Sequence, residues 1–160
     1  MPKISKKASV MLSIVLASAF IAIIAALAVV MPFALSDSSP TRDFIDVLAS
    51  ERLGAENVVA VFLVWGYCVL ADALACCVAV LFLLIRVRNG LVFTEISVSI
   101  IRFVSWCCLI LAAIILFAQV FHPTAFIFAL AVAFLGICLR VVKNVIEAAT
   151  AIKNENDLTV

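Results

Sequence analysis

Uncharged apolar runs alternate with short charged connections along the chain, and the length of the runs decides the fold class. Residues 8–35 form the first run, bounded by Lys7 and Asp37. Residues 58–85 form the second, interrupted only by Asp72, and residues 103–139 form the third, divided by His122-Pro123. A bilayer core about 30 Å thick is crossed by about 20 residues of helix rising about 1.5 Å each. The third run would make a straight helix about 55 Å long, too long for one crossing, and Pro123 cannot donate a hydrogen bond inside it. It therefore reads as two spans meeting in an outer turn. The pattern predicts four spans, at 9–35, 58–86, 98–121 and 124–142. Hydrocarbon does not tolerate irregular backbone, so each span is expected to be helical. The period-2 alternation of a barrel strand is missing. The expected class is all-α: an integral membrane four-helix bundle occupying residues 1–160 as one domain.

Composition reinforces this. Of the 160 residues, 68% are hydrophobic and 13% charged, against about 25% charged in a soluble domain. That leaves too little polar surface for a water-facing fold and excludes soluble enzymes and direct nucleic-acid binders. Charge then sets orientation. Lys3, Lys6, Lys7, Arg86, Arg88, Arg102, Arg140, Lys143 and Lys153 fall on one side of the predicted spans, and only Arg42 and Arg52 on the other, among Asp37, Asp43, Asp46, Glu51 and Glu56. Basic residues stay cytoplasmic, so both termini are expected inside. Basic residues before an apolar stretch also suit a signal peptide, but such h-regions run about 7–15 residues. This run is longer and reads as an uncleaved helix.

The connections differ in kind. Residues 36–57 form the extracytoplasmic connection; they open with Ser36-Asp-Ser-Ser-Pro40 turn chemistry and then place Phe44, Ile45, Val47 and Leu48 at helical spacing. That spacing predicts a short amphipathic connector on the membrane surface. In the inner connection, Asn89-Gly90 suits a helix C-cap and Thr94 an N-cap. After the fourth span, Val142, Val145, Ile146, Ala149 and Ile152 continue at three- and four-residue spacing opposite Lys143, Asn144, Glu147, Thr150 and Lys153. An amphipathic cytoplasmic extension of the fourth helix is predicted, ending in a tail with Asp157 and Leu158; residues 143–160 form the cytoplasmic segment. Its stripe needs cover from the membrane surface, a neighbouring helix or a soluble partner.

Candidate chemistry is sparse. Asp72 lies near the centre of the second span, where an acid costs a few kcal/mol (about 2.5–3.5) even on lenient insertion scales. It serves either as a proton or cation site or as a protonated or paired group locking helices together. Arg102 has the right charge to pair with it but lies at a different depth, and is expected to snorkel to head groups. Gln119 sits near the outer end of the third span. The pairs Cys76-Cys77 and Cys107-Cys108 fall at similar depth on adjacent spans, which allows a soft-metal or redox site, with packing as the default for buried cysteine. His122, the single histidine, makes no triad or zinc site by itself. Trp65 and Trp106 read as belt or core aromatics. No cofactor is expected and the chain is not expected to be an enzyme; the lipid bilayer is the expected surrounding, with a homo-oligomer possible.

Two stretches, Asn89-Gly-Leu-Val-Phe-Thr94 leading into the Arg102 helix and the ending Leu139-Arg-Val-Val-Lys-Asn-Val-Ile-Glu-Ala-Ala-Thr-Ala-Ile-Lys-Asn-Glu-Asn-Asp-Leu-Thr-Val160, resemble the bacterial domain-of-unknown-function 2975 (DUF2975) membrane proteins. That family shows a G-x-x-F-T segment before an Arg-containing third helix and an E-N-D-L-T-V-like tail. The resemblance implies a small four-helix protein of the bacterial cytoplasmic (inner) membrane, often encoded beside a small helix-turn-helix regulator of the Cro type. It carries over no catalytic residue. It points to a sensor or anchor that binds a small cytoplasmic transcription regulator through the 142–152 stripe and the tail. The alternatives are a small transporter, channel or immunity-type protein using Asp72, and a redox protein using the paired cysteines.

Overall fold

The computed structural model describes residues 6–35, 55–120 and 124–158. The predicted surface connector around Phe44–Leu48 and the His122-Pro123 turn lie outside the described residues. The described chain is helical: α1 (Lys6–Ala34), α2 (Ala55–Arg88), α3 (Glu95–Phe117) followed by a 3-10 turn (Ala118–Val120), and α4 (Ala125–Leu158). All four helices are long and apolar enough to cross a membrane. α2 and α3 begin three residues before the predicted spans. As the spacing after the fourth span predicts, α4 continues past residue 142 as one unbroken helix of 34 residues.

Local chemistry explains the turn between α2 and α3. Gly90 takes φ 77°, a conformation L side chains rarely adopt, and its N–H returns to Val87 O while the Leu91 N–H returns to Arg86 O. These bonds pair the last carbonyls of α2. Thr94 then stands in extended conformation, and its hydroxyl accepts the Ser97 N–H to cap α3. The Arg86 guanidinium donates to the same hydroxyl at 3.2 Å, and the Ser97 hydroxyl donates to Leu91 O at 2.9 Å. The two helices thus leave the turn locked antiparallel.

The helices pack in sequence order. α1 lies on α2, α2 on α3 and α3 on α4, with the α3–α4 contact the most extensive; no other pair among the described residues packs appreciably. The expected bundle is therefore an open row and not a closed ring. Lipid tails are as apolar as leucine, so no hydrophobic force drives the first helix onto the last. α3, in the interior of the row, carries most of the core: Ser97, Val98, Ile101, Val104, Ser105, Cys107 and Ala112 are all buried on it.

Each interface carries a side-chain hydrogen bond to a backbone carbonyl of the neighbouring helix. Pro32 sits inside α1 and has no N–H to offer Ala28 O, four residues earlier; the Tyr67 hydroxyl from α2 donates to that carbonyl at 3.1 Å. At the end of α3 the Ala118 N–H turns back to Ile115 O and Leu116 O, and the Trp65 indole N–H donates to Ile114 O at 2.8 Å. Between α3 and α4 the fully buried Ser105 hydroxyl donates to Gly136 O at 2.8 Å. A Cβ at position 136 would stand 3.2 Å from Cys108 Cβ, so glycine there lets the two helices approach closely.

The Tyr67 bond has value only while Pro32 leaves a carbonyl open. Tyr67→Phe is expected to lower stability in bilayers by about 0.6 to 1.7 kcal/mol, the range measured for hydrogen bonds between membrane helices. In a Pro32→Ala background, where residue 32 supplies its own N–H to Ala28 O, the loss should fall close to zero. A double-mutant cycle read by reversible unfolding in bicelles checks this.

Candidate functional site

The projecting end of α4 is the first candidate site. At about 1.5 Å per residue its 34 residues extend about 51 Å, while about 20 suffice for a crossing. By that count α4 is longer than one crossing requires. In the second half of α4 its charged side chains turn toward α3. The Arg140 guanidinium stacks 4.6 Å over the Trp106 ring. Glu147 accepts from Lys143 at 2.7 Å and from Arg102 at 3.4 Å. The antiparallel register of α3 and α4 puts the Glu147 carboxylate within reach of Arg102, whose side chain stays half-exposed.

The predicted stripe splits on inspection. Ile146 and Ala149 are half-buried, but Val142, Val145 and Ile152 are exposed, the last two at 63% and 61%. The buried side of the extension centres on Thr150, only 1% exposed, whose hydroxyl donates to Ile146 O of its own helix at 2.8 Å. With its hydroxyl satisfied locally, threonine can be buried without a partner from elsewhere. The face that packs is therefore the one holding Lys143, Ile146, Glu147 and Thr150. The purely apolar positions point away. Asp157 and Leu158 fall in the last turn of α4, and their side chains lie outside the described residues.

Asp72 is the second candidate. It is half-buried on α2, and its Oδ2 is covered with no hydrogen-bond partner among the described residues. The cysteines expected at matching depth do meet across α2 and α3: the Cys76 and Cys108 thiols are in hydrogen-bonding contact, and Asp72 lies within electrostatic range of Cys76, Cys107 and Cys108. All six cysteines are free thiols. Among the described residues no group of three or more His, Cys, Asp or Glu side chains is placed to hold a metal ion. Gln119 lies exposed in the 3-10 turn at the outer end of α3. A groove of about 500 Å³ beside the Trp65–Ile114 bond is lined only by apolar α2 and α3 residues, including Val61, Val64 and Phe117. The Cys68 thiol also lines it.

Two site features escaped the sequence reading. Trp65 acts as a donor between helices, and the pairing of Arg102 with Glu147 depends on a register that spacing does not reveal. Pro32 was the available signal for the Tyr67 bond, because a proline inside a span orphans the carbonyl four residues earlier.

These features define a class: a helical protein with four segments able to cross a membrane. No protein-family model, curated protein or solved structure matches the chain.

The split between the two faces of the extension can be measured. Thr150→Arg leaves an uncompensated charge on the packed face and is expected to cost about 3 kcal/mol or more. The extension should then detach, with faster amide exchange and proteolysis over residues 143–158. Ile152→Arg on the exposed face should leave both unchanged.

Proposed function

We propose that this chain is a non-enzymatic sensor or anchor of a bacterial inner membrane, with both termini cytoplasmic, that presents the end of α4 to a small cytoplasmic helix-turn-helix regulator. The observation that supports the reading is the length of α4: its 34 residues exceed the about 20 that one crossing needs, and it is tied to α3 through Glu147 and Arg102. A helix extended and held in this way offers a partner a preorganised surface, which lowers the ordering cost of binding. A movement of α3 within the membrane would also reach the extension through the same contact. The resemblance of the 89–108 and 139–160 stretches to the DUF2975 proteins adds the kind of partner, a small DNA-binding protein. Docking falls to the residues after Lys153, with Val142 and Ala149 at the edge of the exposed face.

A second reading has its own observation. Asp72 Oδ2 is covered and unpaired in the middle of a span, and ionisable groups in that position mark proton or cation pathways. It supports a small transporter, channel or immunity-type protein.

Affinity capture from native membranes, with the full chain and with residues 154–160 removed, tests the first reading. A small DNA-binding protein recovered only with the tail present is the expected result, and no tail-dependent partner would defeat it. For the second, Asp72→Asn is expected to abolish proton or cation flux in proteoliposomes while the helical circular dichroism is retained. Unchanged flux would remove Asp72 from any pathway.

A further inference from the structure

The surroundings of the Asp72 carboxyl limit what it can bind. A metal cation needs several oxygens at once, about six to eight for calcium and a full octahedron for magnesium. Sodium sites inside membranes draw on carbonyls freed where a helix is unwound. Among the described residues Asp72 has neither supply. α2 and α3 run unbroken past its level, so the carbonyls there stay within the helical ladders. The Ser105 hydroxyl of α3 is engaged with Gly136 O of α4. The side chains one turn either way along α2, Cys68, Val69, Ala75 and Cys76, carry no oxygen. A proton needs a single lone pair, and Asp72 Oδ2 offers one, covered and unpartnered.

We propose that Asp72 is a reversible proton-binding site whose charged and neutral forms are both accommodated by the thiols of Cys76 and Cys108. The proposal rests on the second reading above for its site and narrows the cation to a proton. A fixed partner locks a carboxyl in one state: a neighbouring arginine holds it ionised, and a lone carbonyl acceptor holds it protonated. A thiol does neither, because its S–H is a weak donor and its sulfur a weak acceptor. Cys76 stands one helical turn from Asp72 on the same face of α2. Cys108 meets Cys76 from α3, and both thiols lie within electrostatic range of the carboxyl. With the proton bound, the carboxyl O–H can turn to a sulfur; with it gone, the S–H groups can turn to the carboxylate. One proton leaves an Asp72 oxygen in this exchange and no sulfur changes oxidation state. The remaining titratable group within range on α3 is Cys107, also a thiol. α1, the other helix packed on α2, carries no charged or titratable side chain from Ser9 to Ala34.

The test is infrared difference spectroscopy on the full-length chain in phospholipid vesicles, titrated with pH. A carbonyl band from a protonated carboxyl is expected at low pH, lost at high pH and missing from Asp72→Asn. Combining Cys76→Ala with Cys108→Ala removes donors to the carboxylate, which disfavours the charged form. The midpoint should then rise by at least about half a pH unit, about threefold in proton affinity. Combining Cys76→Ser with Cys108→Ser supplies stronger donors and should lower it. Helical circular dichroism reports folding of each variant, and either cysteine pair suffices if the other does not fold. An Asp72 that stays protonated or ionised throughout, or a midpoint that ignores the thiols, would overturn the proposal. So would a midpoint displaced by sodium, potassium or copper(I), since a metal ion would then share the site. A titrating Asp72 without Asp72-dependent flux would defeat the transport reading and leave the proton site standing; Asp72-dependent flux of sodium or potassium with no titration of the carboxyl would do the reverse.

Discussion

A backbone carbonyl without an N–H partner is expensive in hydrocarbon, and the arrangement of these helices follows from how such carbonyls are satisfied. Pro32 opens one at Ala28, and the end of α3 opens another at Ile114; side chains of α2 reach out on both sides to close them, Tyr67 toward α1 and Trp65 toward α3. Water would satisfy these groups at a protein surface, but in the bilayer only another part of the chain can. The two bonds therefore do more than add stability. They set which helix lies beside which, where hydrophobic burial expresses no preference.

The same absence of preference explains the open row. α3 has neighbours on both sides and holds most of the buried residues, whereas among the described residues α1 packs on α2 alone. Between α3 and α4 the contact is closest because Gly136 removes the obstacle to approach and Ser105 bonds across it. That contact continues through the Arg102–Glu147 pair and the buried Thr150, and these give α4 its rotation against α3. Fixing the rotation decides which side of the extension is available to anything else. The side left over is the apolar one.

Two consequences meet at the end of the molecule that carries the α2–α3 turn. Several polar groups there are paired within the chain: Arg86 Nη2 with Thr94, Arg102 and Lys143 with Glu147, Arg140 with Trp106. The inner connection and the α3–α4 contact therefore form a braced base from which α4 projects. Asp72 stands in contrast, a covered acid with an open oxygen, placed at the level of the facing thiols of Cys76 and Cys108. Packing of α2 on α3 creates that neighbourhood, and it is where a titratable group can act without disturbing the base.

The apolar runs by themselves determined that the chain is helical and has four segments able to cross a membrane, because length and uninterrupted hydrophobicity are local properties that the bilayer reads directly. Capping at Thr94 and the turn at Gly90 were legible for the same reason, each depending on a few adjacent residues. The matching depth of Cys76 and Cys108 was legible too, since residue counts from the inner turn give depth on both sides of it. What spacing could not give was rotation. Val145 and Ile152 share a face with Ile146 and Ala149 on a helical wheel, and only contact with α3 decides that Thr150 and Glu147 turn inward while the valine and isoleucine turn out. The row of helices, the partner of Arg102 and the donor role of Trp65 were decided in the same way. They depend on interhelical register, which in a membrane is set by a few close contacts and hydrogen bonds and not by the hydrophobic pattern.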